Sequence, residues 1–161
     1  MRKECLPNRR TAWMLVVLAV PLPLVRQAQL KAQQGAGQID DISGEYDFIS
    51  PEDTLAVLDE DGKLKGYIDV IQGQDESDAV LTYDITIGTR QKDHVELKTS
   101  KIHEKYYRFS GTAARGSGKK ESDPDYLRLV GDLETVTVNG SSGLESIARQ
   151  HVVFKSKGKE Q

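Results

Sequence analysis

The sequence predicts an all-β fold: a single antiparallel up-and-down sheet of about eight strands, curved into a closed or nearly closed barrel. Three observations predict it. From Ile39 onward apolar and polar residues alternate with period two, the repeat of a strand with one buried face. Turn-forming residues recur every 8 to 14 positions or so, roughly the spacing of short strands joined by hairpins. Glycines also stand inside the alternating runs, at Gly44, Gly66, Gly111 and Gly131. Interior glycine weakens a strand and marks a bend, a bulge or a close backbone approach, as a curling sheet requires.

The chain begins with a different pattern. Arg2, Lys3, Arg9 and Arg10 precede an apolar block, Trp13 to Val20, that extends to Val25. Basic, then apolar, then polar is the layout of a secretory signal peptide, expected here over residues 1–28. The block is interrupted by Pro21 and Pro23 and falls short of the roughly 20 residues that span a bilayer. No stable membrane anchor is expected after cleavage. Ala28 is the expected cleavage position and Ala32 the alternative. Arg9-Arg10 is followed by Thr11 and Ala12 rather than bulky apolar residues, which favours ordinary over twin-arginine export. The expected destination is secreted or periplasmic. Residues 29–42, rich in Gln, Ala and Gly over 29–38, read as a flexible leader. A single β-barrel-like domain over 43–157 and a tail at 158–161 complete the division.

Within the domain, strands are expected near 43–50, 53–59, 63–71, 80–88, 93–102, 105–115, 125–138 and 145–156. The clearest turn is Asp61-Gly62, between alternating runs, a type I′ hairpin signal; Asn139-Gly140 is a second. Short turns between consecutive strands imply up-and-down order. The expected inward set includes Leu55, Val57, Ile68, Val70, Leu127, Leu129, Leu133, Val152 and Phe154. No window keeps a helical period; Ser142 to Gln150 comes nearest and follows a turn.

Charge and cysteine usage exclude several functions. The chain carries 22 Lys and Arg against 25 Asp and Glu. Residues 1–32 hold six of those bases and one acid, leaving 16 against 24 and a net charge of −8 on the remainder. Such a surface repels phosphate backbones and anionic headgroups, so neither nucleic acid nor a membrane surface is an expected partner. Cys5 is the only cysteine and precedes the apolar block. The exported chain is therefore expected to lack thiols, disulfides and soft metal ligands.

Candidate motifs resolve into turns. Asp59-Glu60-Asp61-Gly62 resembles the start of a calcium loop, but position twelve, where a bidentate Glu is needed, is Val70. Gly116-Ser117-Gly118-Lys119-Lys120 has the wrong spacing for a phosphate-binding loop and reads as a mobile, solvated hairpin loop. His94 and Glu96 share a strand face, His103 follows, and His151 alternates with inward residues towards solvent; three convergent zinc ligands are not evident. No serine occupies a nucleophile elbow. Asn139-Gly140-Ser141 fits the glycosylation sequon and reads as a turn. No catalytic, cofactor-binding or metal-binding residue is assigned, no cofactor is expected, and the chain is not expected to be an enzyme. Tyr46, Tyr67, Tyr83, Tyr106, Tyr107 and Tyr126 are expected in cross-strand packing on the outer sheet face, with a ligand pocket as the rival reading.

Residues 43–156 resemble a group of uncharacterised secreted bacterial small β-barrel proteins of this size. The resemblance rests on Ser43-Gly44-Glu45-Tyr46, the Gly62 to Tyr67 hairpin, Glu76-Ser77-Asp78, the run His103 to Gly111, Arg115 to Lys119, Asp125-Tyr126-Leu127 with Gly131, and Val153 to Ser156. It implies export and a small barrel, and no activity. A remoter likeness in architecture is to lipocalin-type, or calycin, barrels, where Gly44-Glu45-Tyr46 stands in place of an opening Gly-x-Trp and the tryptophan is missing.

Two functions compete on this reading. One is an exported, non-enzymatic barrel, a monomer, that binds a small, mostly apolar molecule. The other is an envelope or secreted domain with a filled core that binds an unidentified envelope protein. Its contacts would be the acidic loop Asp75-Glu76-Ser77-Asp78 and the basic loop Arg115 to Lys120.

Overall fold

A computed structural model describes residues 39–72 and 79–158. The expected signal peptide and acidic loop lie outside the described residues. Eight strands follow one another: β1 Gly44–Asp47, β2 Thr54–Glu60, β3 Lys63–Gln72, β4 Ala79–Gln91, β5 His94–Thr99, β6 Lys105–Arg115, β7 Leu127–Val138 and β8 Glu145–Lys155. They form one sheet in sequence order, every neighbouring pair antiparallel. Among the described residues there is no helix.

The sheet curls until its two edges touch at one end. Tyr46 of β1 bridges Ser156, just past β8, and the Lys157 amide donates to the Glu45 carbonyl at 2.8 Å. Beyond that bridge the edges part, because β1 has four residues and β8 eleven. The result is a half-barrel, joined where β1 begins and open along most of β8.

Three of the four in-strand glycines named from the sequence, Gly66, Gly111 and Gly131, mark close approaches, while Gly44 has open space around its missing Cβ. Gly66 has φ +136°, and a Cβ there would lie 2.0 Å from the Ala56 carbonyl oxygen. It sits where the β3–β4 register shifts, between Lys63 and Tyr67. Gly111 and Gly131 oppose each other across β6 and β7, so the two backbones pack without side chains between them. At the first hairpin Asp61 and Gly62 both have positive φ, 52° and 85°, the signature of the expected type I′ turn. The second hairpin differs. Its connection runs to Leu144, with Asn139 Oδ1 accepting from the Ser141 and Ser142 amides and Gly143, not Gly140, taking the positive φ of 68°. The Asn side chain builds its own turn, which lengthens the loop. A third tight turn, Lys92-Asp93, has no glycine; Lys92 takes φ 57°.

All nine expected inward residues face the core: seven are buried, and Val70 and Val152 pack against them partly exposed. The tyrosines depart from expectation. Tyr46, Tyr83 and Tyr107 are fully buried inside, while Tyr67 lies on the outside and Tyr106 is buried outside the main core cluster. Inside, Tyr107 packs edge-on against Phe48 (5.2 Å between centroids) and Tyr83 (5.0 Å). Phe154 packs against Phe48 (5.1 Å) and Phe109 (5.2 Å). This aromatic chain fills the middle of the half-barrel, and rings at these separations add to the burial of their area.

Candidate functional site

The two ends of the barrel are built differently, and the difference locates the candidate site. At the joined end, Asp59 near the finish of β2 and Arg90 near the finish of β4 meet with 2.5 Å between Oδ2 and Nη1. Their side chains are only 4% and 8% exposed. The rest of the guanidinium is also used. Nε donates to the Lys92 carbonyl at 2.6 Å, Nη1 to that of Asp40 at 3.1 Å, and Nη2 to that of Ile39. The segment ahead of β1 is thereby drawn over the barrel end. Asp41 continues the seal by accepting from the Ser43 hydroxyl at 2.6 Å, and Ser43 Oγ in turn accepts the Asp59 amide at 2.9 Å. This end is a polar plug, each fork of the arginine satisfied, as a buried charge requires.

The opposite end gathers the β1–β2 loop, the ends of β3 and β5, and the starts of β4 and β6. Asp53, buried in the loop, accepts the Ile71 amide at 3.0 Å and the Ser50 amide at 3.2 Å. It thus ties the loop to β3. Beside it Tyr107 is 0% exposed, and its hydroxyl has no hydrogen-bond partner among the described residues. Burial pushes that phenol up to about 12, and the nearby Asp53 charge adds to the shift. Tyr83 is raised too, first by burial and then by Tyr107, with Lys105 opposing. The Lys105 ammonium stands 5.2 Å from the Tyr107 ring centroid, within cation–π range. The Tyr107 amide is anchored by Thr99 Oγ1 at 3.0 Å, just past the last β5–β6 pair. The site is therefore a carboxylate, two phenols and one ammonium over the Phe48 ring, with one buried hydroxyl left free.

An unsatisfied buried hydroxyl costs about 1–3 kcal/mol, so its retention calls for a reason. The arrangement can do two things chemically. The free hydroxyl can donate to or accept from one polar group of a molecule lodged at the mouth. Phe48, edge-on to Tyr107, gives the hydroxyl an apolar neighbour. No group of three or more His, Cys, Asp or Glu that could hold a metal forms among the described residues.

Elsewhere the surface carries open concavities rather than enclosed cavities. One, of about 880 Å³, runs along the joint of the sheet past Asp41, Glu45, Arg115, Tyr126 and Lys157. Another, of about 510 Å³, crosses the outer face between Ile87, Lys98, Arg108, Glu134 and Arg149. There Glu134 is held below its usual range, first by the Arg149 hydrogen bond and then by Arg108 and Arg149 charge. Neither is lined by Asp53, Tyr83 or Tyr107.

The motifs singled out in the sequence fall on the outside. His94 and Glu96 face each other at 3.1 Å, exposed; His151 pairs with Asp132 at 3.0 Å, also exposed; and His103 lies in the β5–β6 turn at φ 47°. The Gly116 loop is tied by side-chain hydrogen bonds. Asp123 Oδ2 accepts the Lys119 and Lys120 amides at 2.9 Å each, and Asp125 accepts from Ser117 while clamping Arg128 through two 2.6 Å bonds. These bonds hold Asp125 well below the usual carboxylate range, Arg128 contributing most. Of the residues that build the candidate site, Tyr107 and Tyr83 are named by sequence reading only within the tyrosine set. Asp53 is missed altogether, since a lone loop aspartate carries no pattern.

No family model matches the chain, and no curated protein matches it. Among solved structures it is similar to the crystal structure of a rhizavidin–biotin complex, with a TM-score of 0.52 at 14% identity, covering 71% of this chain and 99% of that one. At that identity the likeness is one of fold, and it agrees with the eight-stranded, up-and-down barrel seen here.

Proposed function

We propose that this chain is an exported, non-enzymatic β-barrel that binds a small molecule at the end opposite the Asp59–Arg90 plug, beside Tyr107. The observation that carries the reading is the Tyr107 hydroxyl, fully buried and without a partner among the described residues. A ligand with one polar group and an otherwise apolar body suits it: the polar group meets the phenol, and the body lies against Phe48. The filled middle of the barrel limits such a ligand to the mouth. The rhizavidin likeness adds weight of a general kind, since the structure of that protein holds biotin.

The test is a native mass spectrum of the protein purified gently from its own cell envelope, followed by a titration with biotin as the first defined probe. A reproducible extra mass of a few hundred daltons or so, lost in Tyr107→Phe, supports the reading, being roughly the size that a single-ligand barrel accommodates. A bare mass, together with identical behaviour of wild type and Tyr107→Phe towards every probe, rejects it. The same spectrum reports whether the signal is removed and at which residue.

The packed aromatic interior favours a second reading, a filled-core domain that binds an envelope protein through its loops. In the loop at Lys119 and Lys120 both amides are bonded by Asp123, which suits recognition at a reduced ordering cost. Reversing both lysines to glutamate should then weaken capture of a partner from envelope extract. Unchanged capture removes this reading.

A further inference from the structure

We propose that the free edge of β8 is a pairing surface for β8 of a second copy of this chain, the two strands running antiparallel about Gln150.

The edge is unusually well formed for one left bare. β8 pairs with β7 over eleven consecutive residues, Glu145 to Lys155, with no register shift. Among the described residues nothing pairs with its other side until Tyr46 bridges Ser156. Natural sheets blunt such edges with charged side chains, proline, a bulge or an inward-pointing charge, and of these β8 has only the first, Glu145, Arg149, His151 and Lys155 on its outer face. β8 has neither a proline nor a bulge, and its residues facing the barrel interior are Ser146, Ala148, Gln150, Val152 and Phe154. All positions from Glu145 to His151 are exposed. The outer face carries two large apolar residues in the open, Ile147 at 49% and Val153 at 44% exposure.

The sequence of that outer face is self-complementary. In an antiparallel pair, residues directly opposite share a face, and a two-fold axis through Gln150 sets Arg149 against His151 of the other copy. One pair further out, Ile147 meets Val153, so the two exposed apolar side chains cover each other twice over. At the limits Glu145 reaches towards Lys155, opposite charges in both copies. The central basic pair is already balanced within each copy: Arg149 bonds Glu134 and His151 bonds Asp132, both at 3.0 Å. Moving the axis to Arg149 would oppose two arginines, and moving it to Ala148 would set Ile147 against Arg149. Only the Gln150 centre, of these three, joins apolar to apolar and acid to base. The pairing ends at Lys155, one residue before Ser156, which Tyr46 already bridges.

Sedimentation equilibrium of the exported chain, with cysteine crosslinking, tests this. Wild type should dimerise. Lys155→Glu should weaken the dimer about tenfold by opposing two acids, and adding Glu145→Lys should restore it. Ile147→Lys with Val153→Lys should give a monomer of unchanged circular dichroism, since both side chains are exposed. In a Cys5→Ser background, Gln150→Cys should form an intermolecular disulfide on mild oxidation. Opposed Cα atoms of an antiparallel pair lie about 4.5–5.5 Å apart, inside the disulfide range. Arg149→Cys, set two residues off its own copy, should not. The proposal is overturned by a monomeric wild type, by a dimer indifferent to the Ile147 and Val153 changes, or by preferential crosslinking at position 149. A monomer in which the β8 amides that point away from β7 exchange slowly would place some other segment on the edge, and equally overturns it.

Discussion

Asp59 and Arg90, 31 residues apart in sequence, form a buried ion pair that closes one end of the half-barrel. The arginine does more than neutralise the carboxylate. It holds the carbonyls of Ile39, Asp40 and Lys92, so one side chain fastens the segment ahead of β1 to the far ends of β2 and β4. Asp59 in turn accepts the Gly62 amide at 2.9 Å and so shapes the neighbouring hairpin turn.

Breaking that pair from one side leaves a buried charge uncompensated, which costs about 3–5 kcal/mol. Asp59→Leu and Arg90→Met are each expected to lower the unfolding free energy by an amount of that order. Asp59→Leu combined with Arg90→Met should cost clearly less than the two single changes added, because the orphaned charge disappears. Urea unfolding of the four proteins checks both statements. Strict additivity would mean that the two residues do not act as a unit.

How far the sequence carries depends on the range of the signal. Alternation is local, so the eight strands and their order are legible, and Leu55, Ile68, Leu129 and Phe154 fall on the inward face where parity puts them. The buried tyrosines obey the same parity: Tyr46 lies two from Phe48, Tyr83 two from Leu81 and Ile85, and Tyr107 two from Phe109. Parity alone would have drawn them inside; the polar tip of tyrosine argued the other way, and area burial won. Asp59–Arg90 and Asp53–Tyr107 were not legible. Each depends on the curvature of the sheet bringing non-neighbouring strands together, which no local pattern encodes. The single bridge that joins the edges, Tyr46 to Ser156, is equally a product of that curvature.

At the candidate site the stability and the binding roles of Tyr107 separate. Its ring is packed against Phe48 and Tyr83, and its hydroxyl is unpaired. Tyr107→Phe should therefore leave the empty protein as stable as wild type or more so, by up to about 3 kcal/mol, because a buried polar group is removed without losing a bond. Phe48→Ala should instead cost about 3–5 kcal/mol by opening the aromatic cluster. Thermal unfolding distinguishes them. A large loss in Tyr107→Phe would reveal a structural partner for the hydroxyl and remove the reason to look for a ligand there.

Curvature itself is testable at the glycines. A Cβ at Gly111 would lie 2.4 Å from the Val130 carbonyl oxygen and 2.5 Å from Phe109 Cζ, and Gly131 faces it across the pair. Overpacking of this kind costs about 1–3 kcal/mol. Gly111→Ala is expected to destabilise in that range and Gly143→Ala less. Gly143 has open space around its missing Cβ and meets only the strain of φ 68°. Equal losses at the two positions would show that steric approach does not set the requirement at Gly111.

The buried phenols predict how the fold fails in alkali. Tyr107 is raised to about 12, by burial first and then by Asp53. Tyr46, whose hydroxyl donates to the Ile42 carbonyl at 2.7 Å, is raised further still, by burial first and then by Asp41, with Arg90 opposing. In the unfolded chain both phenols ionise near 10.0. A group whose folded value lies above its unfolded one leaves stability intact below the unfolded value, and stability falls as pH rises through the interval. The fold should hold to about pH 10 and then weaken steeply, with phenolate absorbance of these residues appearing together with loss of circular dichroism. Tyr107→Phe removes one phenol that must ionise, so its alkaline midpoint should move to higher pH. All phenols titrating near pH 10 in a protein whose circular dichroism is unchanged would place Tyr46 and Tyr107 in contact with water, against their complete burial.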